Sequence, residues 1–202
     1  PPGHAVVCTA DGVSLRRFHH CPPQMLEEAD EDEVIERLQG LIAAAVERQM
    51  VADVPVGALL SGGIDSTTTA TIMARLLDRP IDTFTVGFQG DDQRNELAFA
   101  RETAQRIGSR HHETVVSADE YRLFLPYSVW HLEEPVATDS TLAYYKVCRL
   151  AREHVTVVLS GQGADEPFGG YPRHVGERYS PQYRRLPRFV QAQILPSFMA
   201  HL

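Results

Sequence analysis

The sequence contains a single lysine, Lys146, and its other basic residues are all arginine or histidine. A Walker A loop is therefore excluded. That loop closes on Gly-Lys-Ser/Thr, and Lys146 stands between Tyr145 and Val147. Cysteine is scarce as well. Cys8, Cys21 and Cys148 are widely spaced and form no C-x-x-C pair. This argues against a disulfide framework or a zinc ribbon and makes a reducing cytoplasm the expected location. No apolar run approaches the roughly 20 residues needed to cross a bilayer. A net charge of −8 gives no basis for a nucleic-acid or anionic-membrane partner. What is present, 43% hydrophobic and 23% charged residues over 202 positions, suits one large globular domain or one domain with an appendage.

The first 22 residues read as a separate piece. HAVVCTADGVSLRRF (His4 to Phe18) holds two short β-rich runs flanking Asp11-Gly12, a turn pair that tolerates positive φ. A lone hairpin is marginal in water, so it is expected to belong to a neighbouring sheet. Residues 23–32, acidic from Glu27, read as a linker, and residues 33–202 as the main domain.

A helix is expected from about Asp32 to Met50, with Val34, Ile35, Leu38, Ile42, Ala45 and Val46 at helical spacing. VPVGALL (Val54 to Leu60) suits a strand buried on both faces. Helix Asp65 to Leu77 then precedes strand Asp82 to Gly87, and helix Asn95 to Ile107 precedes strand His112 to Val116. Helices near Glu120 to Leu132 and Thr141 to Glu153 precede strand Val155 to Leu159. This alternation predicts an α/β fold built on a parallel sheet flanked by helices. The segment from Pro172 reads as irregular or helical. Trp130, Tyr144 and Tyr145 fall on helical stretches and are expected in the core. His19-His20 and His111-His112 are no natural chelates, because adjacent strand residues point to opposite faces.

Two of these strands end in glycine-rich loops: SGGIDS (Ser61 to Ser66) and SGQGADEPFGGY (Ser160 to Tyr171). Ligands of parallel α/β sheets collect at the carboxyl ends of the strands. Free amides at a helix start attract anions, and Gly62 and Gly63 let phosphate oxygens approach the backbone. Ser61 and Ser66 add hydroxyls. The plainer reading is that Ser and Asp cap a helix. It explains less well why an acid, Asp65, stands at the anion-attracting end. An acid beside polyphosphate makes sense if it holds Mg²⁺, a hard cation usually bound by one or two carboxylates plus phosphates. Asp165 in the second loop could share that ion, which requires strands Val54 to Leu60 and Val155 to Leu159 to be parallel neighbours.

SGGIDS resembles the pyrophosphate-loop motif S-G-G-x-D-S of the ATP pyrophosphatases. SGQGADEPFGGY resembles the second signature of the asparagine synthetase group among them. FTVGF (Phe84 to Phe88), HHE (His111 to Glu113) and LEEP (Leu132 to Pro135) also fall where that group carries similar stretches. The resemblance covers about Asp32 to His174, and the hairpin resembles the last strands of the glutaminase domain that precedes it in these enzymes. It implies an adenine nucleotide alpha hydrolase-like fold and an ATP- and Mg²⁺-dependent ligase. Such an enzyme adenylates a carboxylate, aspartate in the asparagine synthetases, releases pyrophosphate, and forms an amide with glutamine-derived ammonia. Carried onto this sequence, Ser61, Gly62, Gly63, Asp65 and Ser66 would bind pyrophosphate. Leu60, Val86 and Gly161 would line the adenosine pocket, and Asp65 and Asp165 would ligate Mg²⁺. Gln162 and Glu166 would lie near the reacting acyl group. The implied partners are small molecules, and a homodimer is left open.

Three departures bear on the acid substrate. Gln162 stands where many asparagine synthetases have Glu and cannot act as a base. The LEEPVATDSTLAYYK segment lacks the arginine some members use for the substrate carboxylate, and Pro167 replaces a more usual apolar residue. The family's N-terminal nucleophilic cysteine and downstream lysine have no counterparts in these residues, so the sequence is expected to be part of something longer. An amide-forming cyclase of the β-lactam synthetase or lasso-peptide type is the close alternative, and a non-catalytic nucleotide-binding module the distant one.

Overall fold

In a computed structural model, residues 1–20, 30–90, 96–135, 138, 140–187 and 190 are described. The linker positions 23–29 and Asn95 lie outside them. The chain divides into two compact units, Pro1–Ile42 and Ala43–Leu202.

In the first unit, β1 (His4–Thr9) and β2 (Gly12–Arg17) form an antiparallel hairpin. The pairing of Thr9 with Gly12 leaves Ala10 and Asp11 as the two-residue loop, one position earlier than the expected Asp11-Gly12 turn. Gly12, at φ 138°, is the closing strand residue, a conformation that glycine adopts without Cβ strain. Helix α1 (Glu31–Gln49) begins with three acids, Glu31, Asp32 and Glu33, at its positive end, and the boundary between the units falls within it.

The second unit alternates strands and helices: β3 (Val56–Leu59), α2 (Ile64–Leu76), β4 (Asp82–Phe88), α3 (Leu97–Ile107) and β5 (Arg110–Val116). Then come α4 (Ala118–Leu132), α5 (Ser140–Ala151), β6 (Val157–Leu159), the single turn α6 (Asp165–Phe168) and α7 (Pro172–Arg185). The four strands form a parallel sheet in the order β5-β4-β3-β6. The sheet and its flanking helices are the expected fold class. β3 and β6 are parallel neighbours, with Ala58 opposite Leu159.

Side-chain alternation along the strands builds two cores. Ala58, Leu60 and Leu159 pack with Ala70 and Met73 of α2 and Ala100 and Ala104 of α3. Leu59, Phe84, Val86 and Val158 pack with Val147 and Ala151 of α5. Gly57 is needed where β3 passes β4, since a Cβ there would sit 2.8 Å from the Asp82 carbonyl oxygen and from the Phe84 ring. α4 starts with a reciprocal cap: Ser117 Oγ accepts from the Glu120 N–H, and the Glu120 carboxylate accepts from the Ser117 N–H. Lys146 Nζ on α5 donates to the same carboxylate, so the only lysine ties α5 to the start of α4. Pro172 occupies the first turn of α7, where its missing N–H is harmless, and the segment left undecided as irregular or helical is a helix over Pro172–Arg185, with positions 188–189 and 191–202 outside the described residues.

Trp130 does not sit in the core. It is 74% exposed, with its ring tilted against Tyr127 at 6.0 Å between centroids. Tyr145 is half-buried against Phe124. No helix among the described residues is long and apolar enough to cross a membrane.

Candidate functional site

The two glycine-rich loops follow adjacent strands, so both emerge at the carboxyl edge of the sheet. The first is folded on itself by its two serines. Their hydroxyls lie 2.9 Å apart, Ser66 Oγ accepts from the Ser61 N–H at 3.1 Å, and Ser61 Oγ accepts from the Gly63 N–H at 3.3 Å. The cap of α2 is Gly63, with no side-chain capping bond, so Ser and Asp are not spent on capping the helix. The first helical bond runs from Thr67 N–H to the Gly63 carbonyl, which leaves the amides of Ile64, Asp65 and Ser66 ahead of the helical ladder. These donors, at the positive end of the helix dipole, are arranged as an anion would require.

Gly62, at φ 84°, turns away from this surface. A Cβ there would lie 2.6 Å from Phe99 Cβ, so Gly62 allows the loop to pack on α3 and does not border the cleft. Behind the loop, Leu60 N–H donates to the Phe84 carbonyl, and the Thr85 hydroxyl donates to the Leu60 carbonyl.

The second loop touches the first. A Cβ on Gly161 would lie 2.6 Å from Ser66 N and 2.8 Å from Asp65 Cβ, so only glycine fits between them. Gly163, at φ 93°, supplies a left-handed turn that favours glycine. Further on, a Cβ on Gly170 would fall 1.9 Å from Asp165 Oδ1. The missing side chain is what makes room for that carboxylate.

The loops enclose a cleft of about 430 Å³. Of the residues singled out by sequence, Leu60, Ser61, Gly63, Asp65, Ser66, Val86, Gly161, Gln162 and Asp165 line it. Glu166 does not. Its Oε1 accepts the Tyr171 hydroxyl at 2.8 Å, and that bond, first among the causes, holds its carboxyl below the usual range. Arg173 lies over the Tyr171 ring at 4.4 Å.

Among the lining residues that escaped the sequence reading, two bear on the chemistry. Tyr144, expected in the core, is 45% exposed on the cleft wall, and its hydroxyl donates to Gln162 Oε1 at 2.9 Å. Its helical position gave no hint that the second loop would fold back over α5. Glu96 stands beside Ser61 as a third acid in the cleft. Burial raises its carboxyl above the ordinary value, opposed by a hydrogen bond from Ser61. It lies outside both motifs, and only the three-dimensional approach of α3 to the first loop brings it in.

The donor set fits Mg²⁺. Asp65 and Asp165 offer hard oxygen ligands on one cleft, next to donors suited to phosphate, and neither enters an ion pair among the described residues. Phe84, Val86, Ala143 and Val147 give the same cleft an apolar wall. A polar anion-binding floor beside an apolar wall suits a nucleotide.

The profile of the family described as asparagine synthase matches residues 37–201, which include both loops. This chain belongs to the asparagine synthase family. It is 48% identical over 145 residues to a Mycobacterium tuberculosis protein provisionally named asparagine synthetase [glutamine-hydrolyzing], covering 72% of this chain and 21% of that protein. It is 36% identical over 168 residues to Bacillus subtilis asparagine synthetase [glutamine-hydrolyzing] 1, covering 83% of this chain and 26% of the other. A Methanocaldococcus jannaschii protein, provisionally given the same enzyme name, is 36% identical over 183 residues, 90% of this chain and 35% of that protein. The chain thus spans about a fifth to a third of these relatives. The asparagine synthase match starts within α1 and leaves the β1–β2 hairpin outside it.

Proposed function

We propose that this chain forms the ATP site of an asparagine synthetase-type ligase that adenylates a carboxylic acid, with the aspartate β-carboxylate as the expected substrate. The carboxylate oxygen attacks the α-phosphorus of ATP, the bond from that phosphorus to the bridging oxygen breaks, and pyrophosphate leaves. Ammonia derived from glutamine then attacks the acyl carbon, the carbon–oxygen bond to AMP breaks, and a proton is released from nitrogen. The observation that carries this reading is the contact of the two loops at Gly161, which brings the anion-binding start of α2 against the second signature loop.

In this assignment the adenosine rests on Leu60, Val86 and Gly161. The polyphosphate lies on the amides opening α2 and on the hydroxyls of Ser61 and Ser66. Donors fixed in place before the reaction stabilise the developing charge without reorganisation. Asp65 and Asp165 would hold Mg²⁺, which when bound helps neutralise the departing pyrophosphate. Gln162 has its carbonyl oxygen occupied by Tyr144. Its amide hydrogens remain to orient the acyl oxygen, a task that needs a donor and not a base. Glu166, turned to Tyr171 and off the cleft wall, is assigned no proton transfer in this reading and holds the Tyr171 end of the second loop.

The test is exchange of labelled pyrophosphate into ATP by the full-length protein with a panel of amino acids and other carboxylic acids. Exchange that depends on aspartate supports the reading. ATP binding without exchange for any acid in the panel overturns it in favour of a nucleotide-binding module.

A further inference from the structure

The opposite edge of the sheet carries a second set of chemical groups. Asp82 opens β4 at its amino end, whereas the cleft lies beyond the carboxyl ends of β3 and β6. His112 on β5 reaches it, its Nε2 lying 2.9 Å from Asp82 Oδ1. His154, in the turn between α5 and β6, stacks on His112 with ring centroids 3.8 Å apart. Phe84, fully buried, backs both rings at 5.1 and 5.9 Å. One potential ligand atom from each of Asp82, His112 and His154 lies within 4.8 Å of the others.

We infer that Asp82, His112 and His154 form a binding site for a borderline divalent cation, Zn²⁺ foremost, separate from the nucleotide cleft. Two imidazole nitrogens and one carboxylate oxygen are a donor set for Zn²⁺ and not for Mg²⁺, which prefers oxygen. Three protein ligands leave a fourth position for water, and His154 is exposed at the surface. The carboxylate is already oriented for the task. Arg110 Nη2 holds Oδ2 at 2.6 Å, and Oδ1 is shared between Arg110 Nε at 3.0 Å and His112. An ion replaces the hydrogen between His112 Nε2 and Oδ1 while Arg110 keeps Oδ2, an outer contact of the kind that fixes ligating carboxylates.

Two features limit the affinity. The Arg110 guanidinium places a positive charge beside the site. The stacked rings run their in-plane lone pairs side by side, at 26° between planes, so His154 turns about its side-chain torsions to converge on the ion. The neighbouring His111 takes no part, since it lies on the other face of β5 beside Thr83 and Glu113. Occupancy would join β4, β5 and the α5–β6 turn, three segments far apart in sequence. The bound form would therefore be harder to unfold.

The experiment titrates full-length protein with Zn²⁺ against a chromophoric chelator, with Mg²⁺-ATP saturating the cleft, and with Co²⁺ as a spectroscopic substitute. One bound Zn²⁺ per chain, a visible Co²⁺ absorption band displaced by Zn²⁺, and a higher Tm are expected. His154→Ala, at an exposed position, should weaken Zn²⁺ binding more than about 10-fold and erase the Co²⁺ band, with pyrophosphate exchange unchanged. His112→Gln should behave alike. Should it fail to fold, His154→Ala decides alone. The inference is overturned if the wild type takes up no Zn²⁺, or if His154→Ala binds it as the wild type does.

Discussion

Replacing Gly161 with alanine probes the junction of the two loops. The added methyl would lie 2.6 Å from Ser66 N and 2.8 Å from the backbone carbon and Cβ of Asp65, where ordinary contact begins at 3.4 Å. Its nearest obstacle is backbone at the start of a helix, not the far end of a flexible side chain. The start of α2 or the second loop must therefore retreat by about 0.8 Å to relieve the overlap. Overpacking of this kind typically costs about 1–3 kcal/mol, which lowers Tm by about 2–4 °C per kcal/mol in a domain of this size. The loss in chemistry should exceed the loss in stability. Displacing positioning groups by about 1 Å can slow a reaction about 10²-fold. Pyrophosphate exchange by the full-length Gly161→Ala protein should therefore fall by about 10- to 100-fold at a temperature where the fold is intact. Gly176→Ala is the control. Gly176 lies within α7 with nothing inside 4 Å of a new Cβ, so the change should stabilise by about 0.5–1 kcal/mol and leave exchange untouched. A Gly161→Ala protein with unchanged Tm and unchanged exchange would refute the loop contact.

Tyr144→Phe removes the hydroxyl that fixes Gln162, and a net hydrogen bond of about 0.5–1.5 kcal/mol predicts a 2- to 10-fold fall in acid-dependent exchange, measured at a temperature where the fold is intact. Glu120 is held at about 2, first by the Lys146 hydrogen bond and then by the Ser117 N–H, below its ordinary 4.5. Its contribution to stability is complete above pH 4.5 and disappears as pH falls through about 2. The Tm gap between wild type and Glu120→Gln, measured by circular dichroism, should therefore be constant from pH 5 to 7 and close in acid. Ser117→Ala should cost about 1 kcal/mol in chemical denaturation by removing the N-terminal cap of α4.

The parts of the fold that sequence made legible are those governed by local chemistry. The run VPVGALL suited a strand buried on both faces, and β3 lies inside the sheet, paired on both sides. The two glycine loops announced a shared ligand, which required β3 and β6 to be neighbours, and they are. Gly161 and Gly170 show why glycine is needed there: each stands where a Cβ would strike Asp65 or Asp165. What stayed hidden depends on contacts between distant segments. Glu96 enters the cleft because α3 packs on the first loop, and Tyr144 because the second loop folds over α5. Neither has a signature in its neighbours. Trp130 shows the opposite failure. Its helical position suggested burial, but among the residues of α4 only Ser128 is buried, and Leu123, Val129 and Trp130 are all exposed. The two histidines on β5 face opposite ways, as adjacent strand residues should, with His111 on Thr83 and His112 on Asp82. The partner His154, 42 residues beyond His112, was out of reach of any local pattern.

The shared-ion site is tested most directly by pyrophosphate exchange in full-length Asp65→Asn, Asp165→Asn and the double variant. Loss of one such electrostatic contact typically costs about 3–4 kcal/mol, so each single variant should lose about 10²- to 10³-fold in acid-dependent exchange. If both carboxylates hold one ion, the double variant should be scarcely worse than either single one, because the unit is already broken. Glutamine hydrolysis, assigned to a separate nucleophile, should continue in all three. Near-normal exchange by Asp65→Asn, or losses that multiply in the double variant, would contradict a metal held between the two loops.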